Sequence, residues 1–398
     1  HKNEPFEPFT RPPDIKDPRP LHEKARLFTQ EIEADFLKDD RRLFWSQVPN
    51  DIGDMAIWHG YYLAYRAFEY ATTRSSSSLH HLRKALDGES LLLAGYGKAY
   101  LVRGVDPAGG DAEKHRHAHQ GTPYDWVDDA SGSSLTGTVF GLYCAWRYGP
   151  SDVRRQARDL TLKLTKEFIR NKFKLTNSNG SYTRWGDCSR DDWIIDPSRI
   201  LTATALLNFA SLISDDPDIA KERQRYEESA TVRRIAGRAE AHLLWYAKHY
   251  HQHLAYMSFF VLMDCEQNDK ARERFWMRFY QKLFRKYLHQ GNSFFIYLSA
   301  SQFPIDQGSL AKAKQTLQEF SFPKKKNYNA DMSNFNIKMA GRWSTQPLPV
   351  WRRPSTDIVW QRSPNTLKGG NTEKHYSGVD FLVAYWMGRY FGFLSPEE

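Results

Sequence analysis

Residues 131–172 read SGSSLTGTVFGLYCAWRYGPSDVRRQARDLTLKLTKEFIRNK, and they contain two helical segments of different kinds. The first, 131–148, is apolar or small around its whole circumference, which is typical of a helix buried on every side. The second, 151–172, is apolar on one face and charged on the other, as expected of a helix lying on a surface. Its apolar face consists of Val153, Ala157, Leu160, Leu164 and Phe168. The stretch therefore predicts an inner helix followed by an outer helix.

The same alternation continues along the chain. Outer helices are predicted at about 22–46, 78–97, 151–172, 217–247, 268–289 and 309–320, and inner helices at about 51–72, 131–148, 196–214, 252–265, 293–302 and 376–393. Strand patterns are few, and no repeated motif of the kind that marks a regular solenoid is present. The pattern predicts an all-α (α/α)6 toroid, in which a ring of inner helices is covered by outer ones. An irregular array of helices is the alternative.

Length and composition set the domain organisation. The 398 residues are enough for one large barrel, predicted at 22–398, after a Pro-rich extended lead-in at 1–21. No run of 18 apolar residues occurs, so no membrane span is predicted. The three cysteines, Cys144, Cys188 and Cys265, lack metal-ligand spacing, and neither a metal nor a cofactor is expected. The oligomeric state is not predicted.

Charge and aromatic content bear on the partner. The net charge is +9, but the basic residues are spread along predicted helices and match no nucleic-acid-binding module. Nucleic acid is therefore not expected as a partner, whereas an anionic polysaccharide remains open. The chain has 12 Trp and 21 Tyr, and side chains of these types stack on flat ligands and sugar rings.

Polar residues gather just before or at the start of the inner helices. Parallel inner helices would bring these segments to one rim of a toroid, where carboxylates, histidines and aromatic rings would line a shared mouth. Candidate catalytic residues are Asp54, Asp128, Asp129, Asp187, Asp192, His253 and Tyr256. Candidate substrate-binding residues are Asp51, Trp58, Tyr62, Trp126, Arg184, Trp185, His249 and His375. Helix capping is the competing role for the aspartates, and Asp196 before Pro197 is predicted to be a cap.

Residue type indicates the chemistry. Glycosidases need one carboxylic acid to protonate the leaving oxygen and one carboxylate as base or nucleophile, and neighbouring carboxylates raise each other's pKa. An arginine such as Arg184 would bind a carboxylate or a sulfate through two hydrogen bonds. The alternating histidines His249, His251 and His253 would share a face on a strand and diverge on a helix. The turn 177–181 precedes Arg184 and also contains an Asn-Gly-Ser glycosylation pattern at 179–181.

Four stretches together resemble a group of secreted, carbohydrate-associated proteins of the six-hairpin (α/α) toroid type. They are NDIGDMAIWHGYYLA (50–64), DDASGSSLTGTVFGL (128–142), SNGSYTRWG (178–186) and VDFLVAYWMGRY (379–390). The resemblance implies the toroid fold, polysaccharide degradation and a secreted or periplasmic location. It also implies a further acidic residue near Ser133, where this chain has Ser133 and Ser134.

Four functions follow as hypotheses. The leading one is a glycoside hydrolase acting on a polysaccharide, with a uronic or sulfated glycan as a candidate substrate. The second is a polysaccharide lyase that uses His and Tyr. The third is a non-catalytic sugar-binding toroid, motivated by Ser133 and Ser134. The fourth is a terpene-type cyclase, suggested only by the DDWIID stretch at 191–196.

Overall fold

The computed structural model of the protein describes residues 11–49, 52–107, 118–119, 124–189, 197–228 and 249–398. The described chain is mostly helical, and its strands are short, so the all-α prediction is confirmed. None of the described helices has the length and apolar character needed to cross a lipid bilayer.

The main helices, labelled in chain order, are α1 (Leu21–Glu31), α2 (Met55–Thr73), α3 (Ser76–Leu92), α4 (Gly132–Tyr148), α5 (Ser151–Arg170), α6 (Pro197–Leu212), α7 (Pro217–Glu228), α8 (His249–Cys265), α9 (Asp269–Phe279), α10 (Ser293–Ala300), α11 (Gln307–Gln318) and α12 (Val379–Tyr390). π-helical turns at Ile32–Phe36 and Tyr280–Phe284 extend α1 and α9.

The strands are β1 (Leu37–Lys38), β2 (Leu43–Phe44), β3 (Gln47–Val48), β4 (Gly104–Pro107), β5 (Ala118–His119), β6 (Tyr124–Val127), β7 (Lys174–Thr176), β8 (Tyr182–Asp187), β9 (Met339–Ala340), β10 (Trp343–Ser344) and β11 (His375–Tyr376). They form small antiparallel sheets, ordered β1-β2, β9-β10, β3-β11, β4-β6-β5 and β7-β8. Most of these sheets lie in segments that join one helix to the next.

The two predicted kinds of helix are present. Helix α4 is buried around nearly its whole circumference, whereas α5 buries one face and exposes the other. The start of α4 is fixed by a capping box between Ser131 and Ser134. Ser134 thus has a structural role at one of the positions where the resemblance implied an acid. Helix α6 begins at Pro197, as the sequence predicts.

Each even-numbered helix contacts the next even-numbered helix along the chain, and the last of them, α12, contacts α2. The contacts run α2–α4, α4–α6, α6–α8, α8–α10, α10–α12 and α12–α2, which closes the series. Each odd-numbered helix contacts an even-numbered one: α3 contacts α2, α5 contacts α4, α7 contacts α6, α9 contacts α8, α11 contacts α10 and α1 contacts α12.

Contacts between α2 and α4 show that these two helices run in the same direction. The Cα of Ile57 lies against Gly137, and the backbone of Gly60 lies against both Gly137 and Gly141. Residue numbers rise together along both helices, which is the signature of parallel neighbours. The three glycines allow the two backbones to approach closely, because no Cβ separates them.

Other contacts extend this direction around the series. Gly132 and Thr136 of α4 meet Arg199 and Thr202 of α6 in the same order. Four further pairs are ordered in the same way: Phe140–Phe260 and Tyr143–Asp264 for α4 and α8, and His253–Phe294 and Tyr256–Ser299 for α8 and α10. Tyr61 lies near Asp380, and Phe68 packs on Tyr390, for α2 and α12. All six helices therefore begin at one end, which we call the N-terminal rim together with the segments that precede them.

The glycine contact gives a stability prediction. A Cβ placed on Gly60 would lie 2.0 Å from the carbonyl oxygen of Gly137, which is backbone and cannot swing aside. We expect Gly60→Ala to lower the free energy of unfolding by about 3 kcal/mol, the upper end for overpacked cores. Urea denaturation measures the loss. The matched control is Gly308→Ala, on the exposed side of α11. A Cβ at this position meets only the Asp306 carboxylate, at 3.0 Å, so the substitution should change stability little.

Candidate functional site

Asp129 occupies the N-terminal rim just before α4, in an uncommon backbone conformation. Its φ is 66°, in the left-handed region that costs most residues free energy and that Asp and Asn adopt more readily. Its backbone N–H donates to Oδ1 of Asn177 at 2.9 Å, and its own Oδ1 accepts the N–H of Arg184 at 2.7 Å. The carboxylate is therefore held in place by the neighbouring hairpin.

That hairpin is formed by β7 and β8 around the predicted turn. The N–H of Gly180 donates to the carbonyl of Asn177 at 2.8 Å, and Gly180 has φ 88°, which a glycine adopts without strain. Strand β8 presents Trp185 with 43% of its surface exposed, an unusual value for so large an apolar side chain. The guanidinium of Arg184 lies 4.7 Å from the indole centre, and that of Arg199 lies 6.0 Å from it. An exposed ring with two cations beside it results.

Asp54 lies on the same sector of the rim, immediately before α2. Its side chain is 57% exposed and pairs with Arg103 at 3.3 Å. The backbone N–H of Arg103 donates to the carbonyl of Val127 at 2.8 Å, two residues before Asp129. The structure thus brings the predicted residues Asp54, Asp129, Arg184 and Trp185 to one part of the rim.

Two of the predicted aspartates are engaged in holding the hairpin. Asp128 is buried, and its carboxylate accepts the N–H of Ser178 at 3.0 Å and the hydroxyl at 2.6 Å. Asp187 pairs with Lys174 at 2.6 Å. Partial burial acts to raise the pKa of Asp187, but the Lys174 ammonium and Ser189 outweigh it and hold the pKa below its ordinary value. The ionised form is therefore favoured, which is unsuited to a general acid at neutral pH.

The predicted His253 and Tyr256 lie in the interior below the rim. His253 is fully buried, its Nε2 is 3.4 Å from the Tyr61 hydroxyl, and burial lowers its pKa to about 3. Tyr256 stacks on Phe295 with ring centres 3.8 Å apart, and burial raises its pKa well above the ordinary value. Trp58 is buried beside His253, with ring centres 6.2 Å apart. The structure does not bring these three side chains to the surface that carries Asp129.

The two remaining aromatic candidates, Tyr62 and Trp126, make packing contacts. Tyr62 is buried, stacks on Phe44 and accepts a hydrogen bond from Arg66 at 3.0 Å. Trp126 is buried and stacks on Tyr96, with ring centres 4.9 Å apart.

The two other histidine candidates lie at the start of α8 and before α12. Nε2 of His249 contacts the Gln290 amide oxygen at 2.8 Å, and burial lowers the His249 pKa to about 4. Nε2 of His375 contacts Glu31 at 3.0 Å. His249, His251 and His253 lie on helix α8, which is the arrangement that separates alternating histidines.

Three predicted residues fall outside the described part of the chain. They are Asp51, Asp192 and Asp196. Of the aspartates in the stretch GDCSRDDWIID (186–196), only Asp187 lies in the described part of the chain. The predicted roles of the three residues stay predictions.

The sequence reasoning missed a second group of charged residues, on the segment that precedes α12. Asp380, fully buried at the start of α12, pairs with Lys324 at 3.0 Å. Burial raises the pKa of Asp357, and burial together with Asp357 raises the pKa of Tyr376 to about 12. The basic run 324–326 and the unusually long segment between α11 and α12 were the available signals.

Among the residues that the structure describes, no group of three or more His, Cys, Asp or Glu side chains is arranged to hold a metal ion. Neither protein-family models nor curated proteins give a match to this chain.

Proposed function

We propose that the chain forms an (α/α)6 toroid, with α2, α4, α6, α8, α10 and α12 as the inner ring. The closed series of contacts among these helices, and their common direction, support this arrangement. Each inner helix also contacts at least one outer helix, as hairpins of alternating outer and inner helices require. The N-terminal rim would then be one mouth of the toroid.

We propose further that this protein is a polysaccharide-degrading enzyme, a glycoside hydrolase acting at the N-terminal rim outside the cytoplasm. The observation that carries the proposal is Asp129, which has a left-handed conformation and whose carboxylate accepts the backbone N–H of Arg184, the residue before the exposed Trp185. Strained residues concentrate at functional sites, and exposed aromatic rings suit the apolar faces of sugars. The resemblance to secreted toroid proteins agrees with this placement.

Each rim residue has a proposed role. Asp129 and Asp54 are the acid and base that cleave the glycosidic bond, because both are carboxylates that reach the surface of this sector. Trp185 is the platform on which a sugar ring stacks. Arg184 and Arg199 lie beside that platform and would neutralise an anionic substituent on the sugar.

The burial of His253 and Tyr256 favours hydrolysis over elimination. A lyase needs a base and an acid that reach the sugar, and these two side chains are enclosed by α2 and α10. A non-catalytic sugar-binding toroid remains the competing function, since Trp185 alone would serve binding.

Digestion of a polysaccharide panel tests the proposal. The panel contains neutral, uronic-acid and sulfated glycans, and both new reducing ends and the ultraviolet absorbance of unsaturated products are followed. We expect new reducing ends without unsaturated products on at least one glycan. Unsaturated products would identify a lyase. Binding of a glycan with no cleavage of any panel member would identify a sugar-binding protein and contradict the hydrolase.

A further inference from the structure

A recess on the surface near the start of α12 is lined mainly by cations and aromatic rings. It lies between the end of α11, the basic run 324–326, the turn Val350–Arg352 and strand β11. Its lining includes Lys325, Lys326, Trp351, Arg353, Lys374 and Tyr376. No carboxylate is among the described residues that line it. All charged side chains among these lining residues are therefore positive.

Arg353 is the unusual member of this lining. Its residue surface is only 9% exposed, and its Nε donates to the carbonyl of Leu348 at 2.9 Å. Within the described chain, neither terminal nitrogen of its guanidinium has a hydrogen-bond partner, and no carboxylate forms an ion pair with it. A buried cation is normally paired, because its removal from water costs several kcal/mol. Burial lowers the pKa of Arg353 to about 9, so the group is still charged at neutral pH.

The two carboxylates that act to raise the pKa of Arg353, Glu319 and Asp380, are already paired with other cations. Glu319 pairs with Arg11 at 2.5 Å, and Asp380 pairs with Lys324 at 3.0 Å. Among the described residues, Arg353 therefore has no carboxylate of its own to pair with.

Two other cations of the recess add to its unpaired positive charge, and a third does not. Lys325 is neutralised by Asp331 at 2.8 Å. Among the described residues, the Lys374 ammonium donates to the backbone carbonyl of Pro49 at 3.1 Å and to no carboxylate. Lys326 is exposed at the edge of the recess. Three positive charges, on Arg353, Lys326 and Lys374, thus remain without a carboxylate among the residues described here.

We propose that this recess binds an oxyanion, a carboxylate, sulfate or phosphate, through the two terminal nitrogens of Arg353. The planar guanidinium matches two oxygens of such a group, which gives both affinity and orientation. Lys326 and Lys374 supply the surrounding positive potential, and Tyr376 lines the same recess. The bound anion takes the place of the missing protein carboxylate.

The position of the recess connects it to the rim. Arg353 is close enough to His249, at the start of α8, to affect its titration, and Lys374 reaches Pro49, which precedes Asp54. Resting on the proposed function, the anion is a uronate or sulfate substituent of the polysaccharide, bound a few sugar units from the cleaved bond. The substrate class is then an acidic glycan.

Calorimetric titration with sodium sulfate tests the anion site, at an ionic strength held constant with chloride. Wild type and the control Arg155→Met, on the exposed face of α5, should bind sulfate alike. Arg353→Met should weaken binding at least about tenfold, the loss expected for a bidentate charged contact. Lys326→Ala, at an exposed position, should weaken it about two- to threefold and covers the case in which Arg353→Met does not fold. Equal affinity in wild type, Arg353→Met and Lys326→Ala would overturn the proposal.

Titration with other probes separates the source of the anion. The probes are inorganic phosphate, glucuronate, a glucuronate-containing tetrasaccharide and neutral glucose. A tetrasaccharide that binds more tightly than sulfate, and depends on Arg353, supports the acidic-glycan assignment. Binding of sulfate and phosphate without the tetrasaccharide would overturn that assignment. Sulfate binding through Arg353 with no cleavage of any polysaccharide would contradict the proposed hydrolase and leave the anion site standing.

Discussion

Asp129→Asn is expected to lower the rate of polysaccharide cleavage at least about a hundredfold, with little change in folding. Asparagine keeps the size of the side chain and tolerates the left-handed φ of 66°. Its amide oxygen also accepts the N–H of Arg184, as Oδ1 of Asp129 does at 2.7 Å. Only the charge and the ability to exchange a proton are removed. Initial rates of reducing-end release on the best panel substrate measure the loss.

Asp128→Asn is the matched control for that substitution. Asp128 is the adjacent carboxylate, but both of its oxygens accept hydrogen bonds from Ser178. We expect this variant to lose about 1–2 kcal/mol of stability, the usual cost of weakening hydrogen bonds to a charged group, while the rate per folded molecule falls less than about tenfold. Rates that fall equally in both variants would contradict the assignment of Asp129 as the reacting carboxylate.

Glu89→Gln is expected to stabilise the protein by several kcal/mol at pH 8 and to change its stability little near pH 4.5. Glu89 lies on α3, is fully buried, and neither carboxyl oxygen has a hydrogen-bond partner among the described residues. Burial raises its pKa to about 8, and the nearby Thr138 hydroxyl acts weakly in the opposite direction. The folded protein therefore keeps a proton on Glu89 at neutral pH.

The stability of the protein depends on pH because Glu89 releases its proton at a different pH in the unfolded and in the folded chain. The unfolded chain releases the Glu89 proton above its ordinary pKa of 4.5, whereas the folded chain holds it up to about pH 8. The folded state binds more protons between these values, so its stability falls by about 1.4 kcal/mol per pH unit as pH rises through this window, and levels off above it. Glutamine cannot release a proton, so the variant escapes this loss.

Urea denaturation between pH 4.5 and 9 gives the test. The difference in free energy of unfolding between Glu89→Gln and wild type should widen with pH up to about 8 and then stay constant. Glu273→Gln, at an exposed position on α9, serves as control and should show no such widening. A difference that is the same at every pH would mean that Glu89 is not protonated in the folded protein.

The fold was predictable to a large extent because burial leaves a strong mark on helical sequences. The near-absence of charge in α4 and the one-sided charge of α5 distinguish a fully buried helix from a half-exposed one without any structure. Helix ends were less certain where tertiary packing decides them. The predicted outer helix 22–46 ends as a regular helix at Glu31 and continues through a π-helical turn into β1, because Leu37 and Phe44 pack into the core there.

The candidate site was predictable only in part, because residue type does not reveal orientation. Asp54 and Asp129 lie just before α2 and α4, as their sequence positions predicted, and Trp185 lies on strand β8. The sequence could not show that Tyr62, in the middle of α2, lies against Phe44, away from the rim. Arg353 was also missed, because a lone arginine in a loop gives no sign that its neighbours leave it without a carboxylate.

The most direct test of the central claim is a crystal structure of Asp129→Asn with an oligosaccharide of the cleaved glycan bound. The account predicts one sugar ring stacked on Trp185 and a glycosidic oxygen within hydrogen-bond reach of the side chain at position 129, about 3 Å. An oligosaccharide bound elsewhere, with the rim around Trp185 unoccupied, would contradict the account.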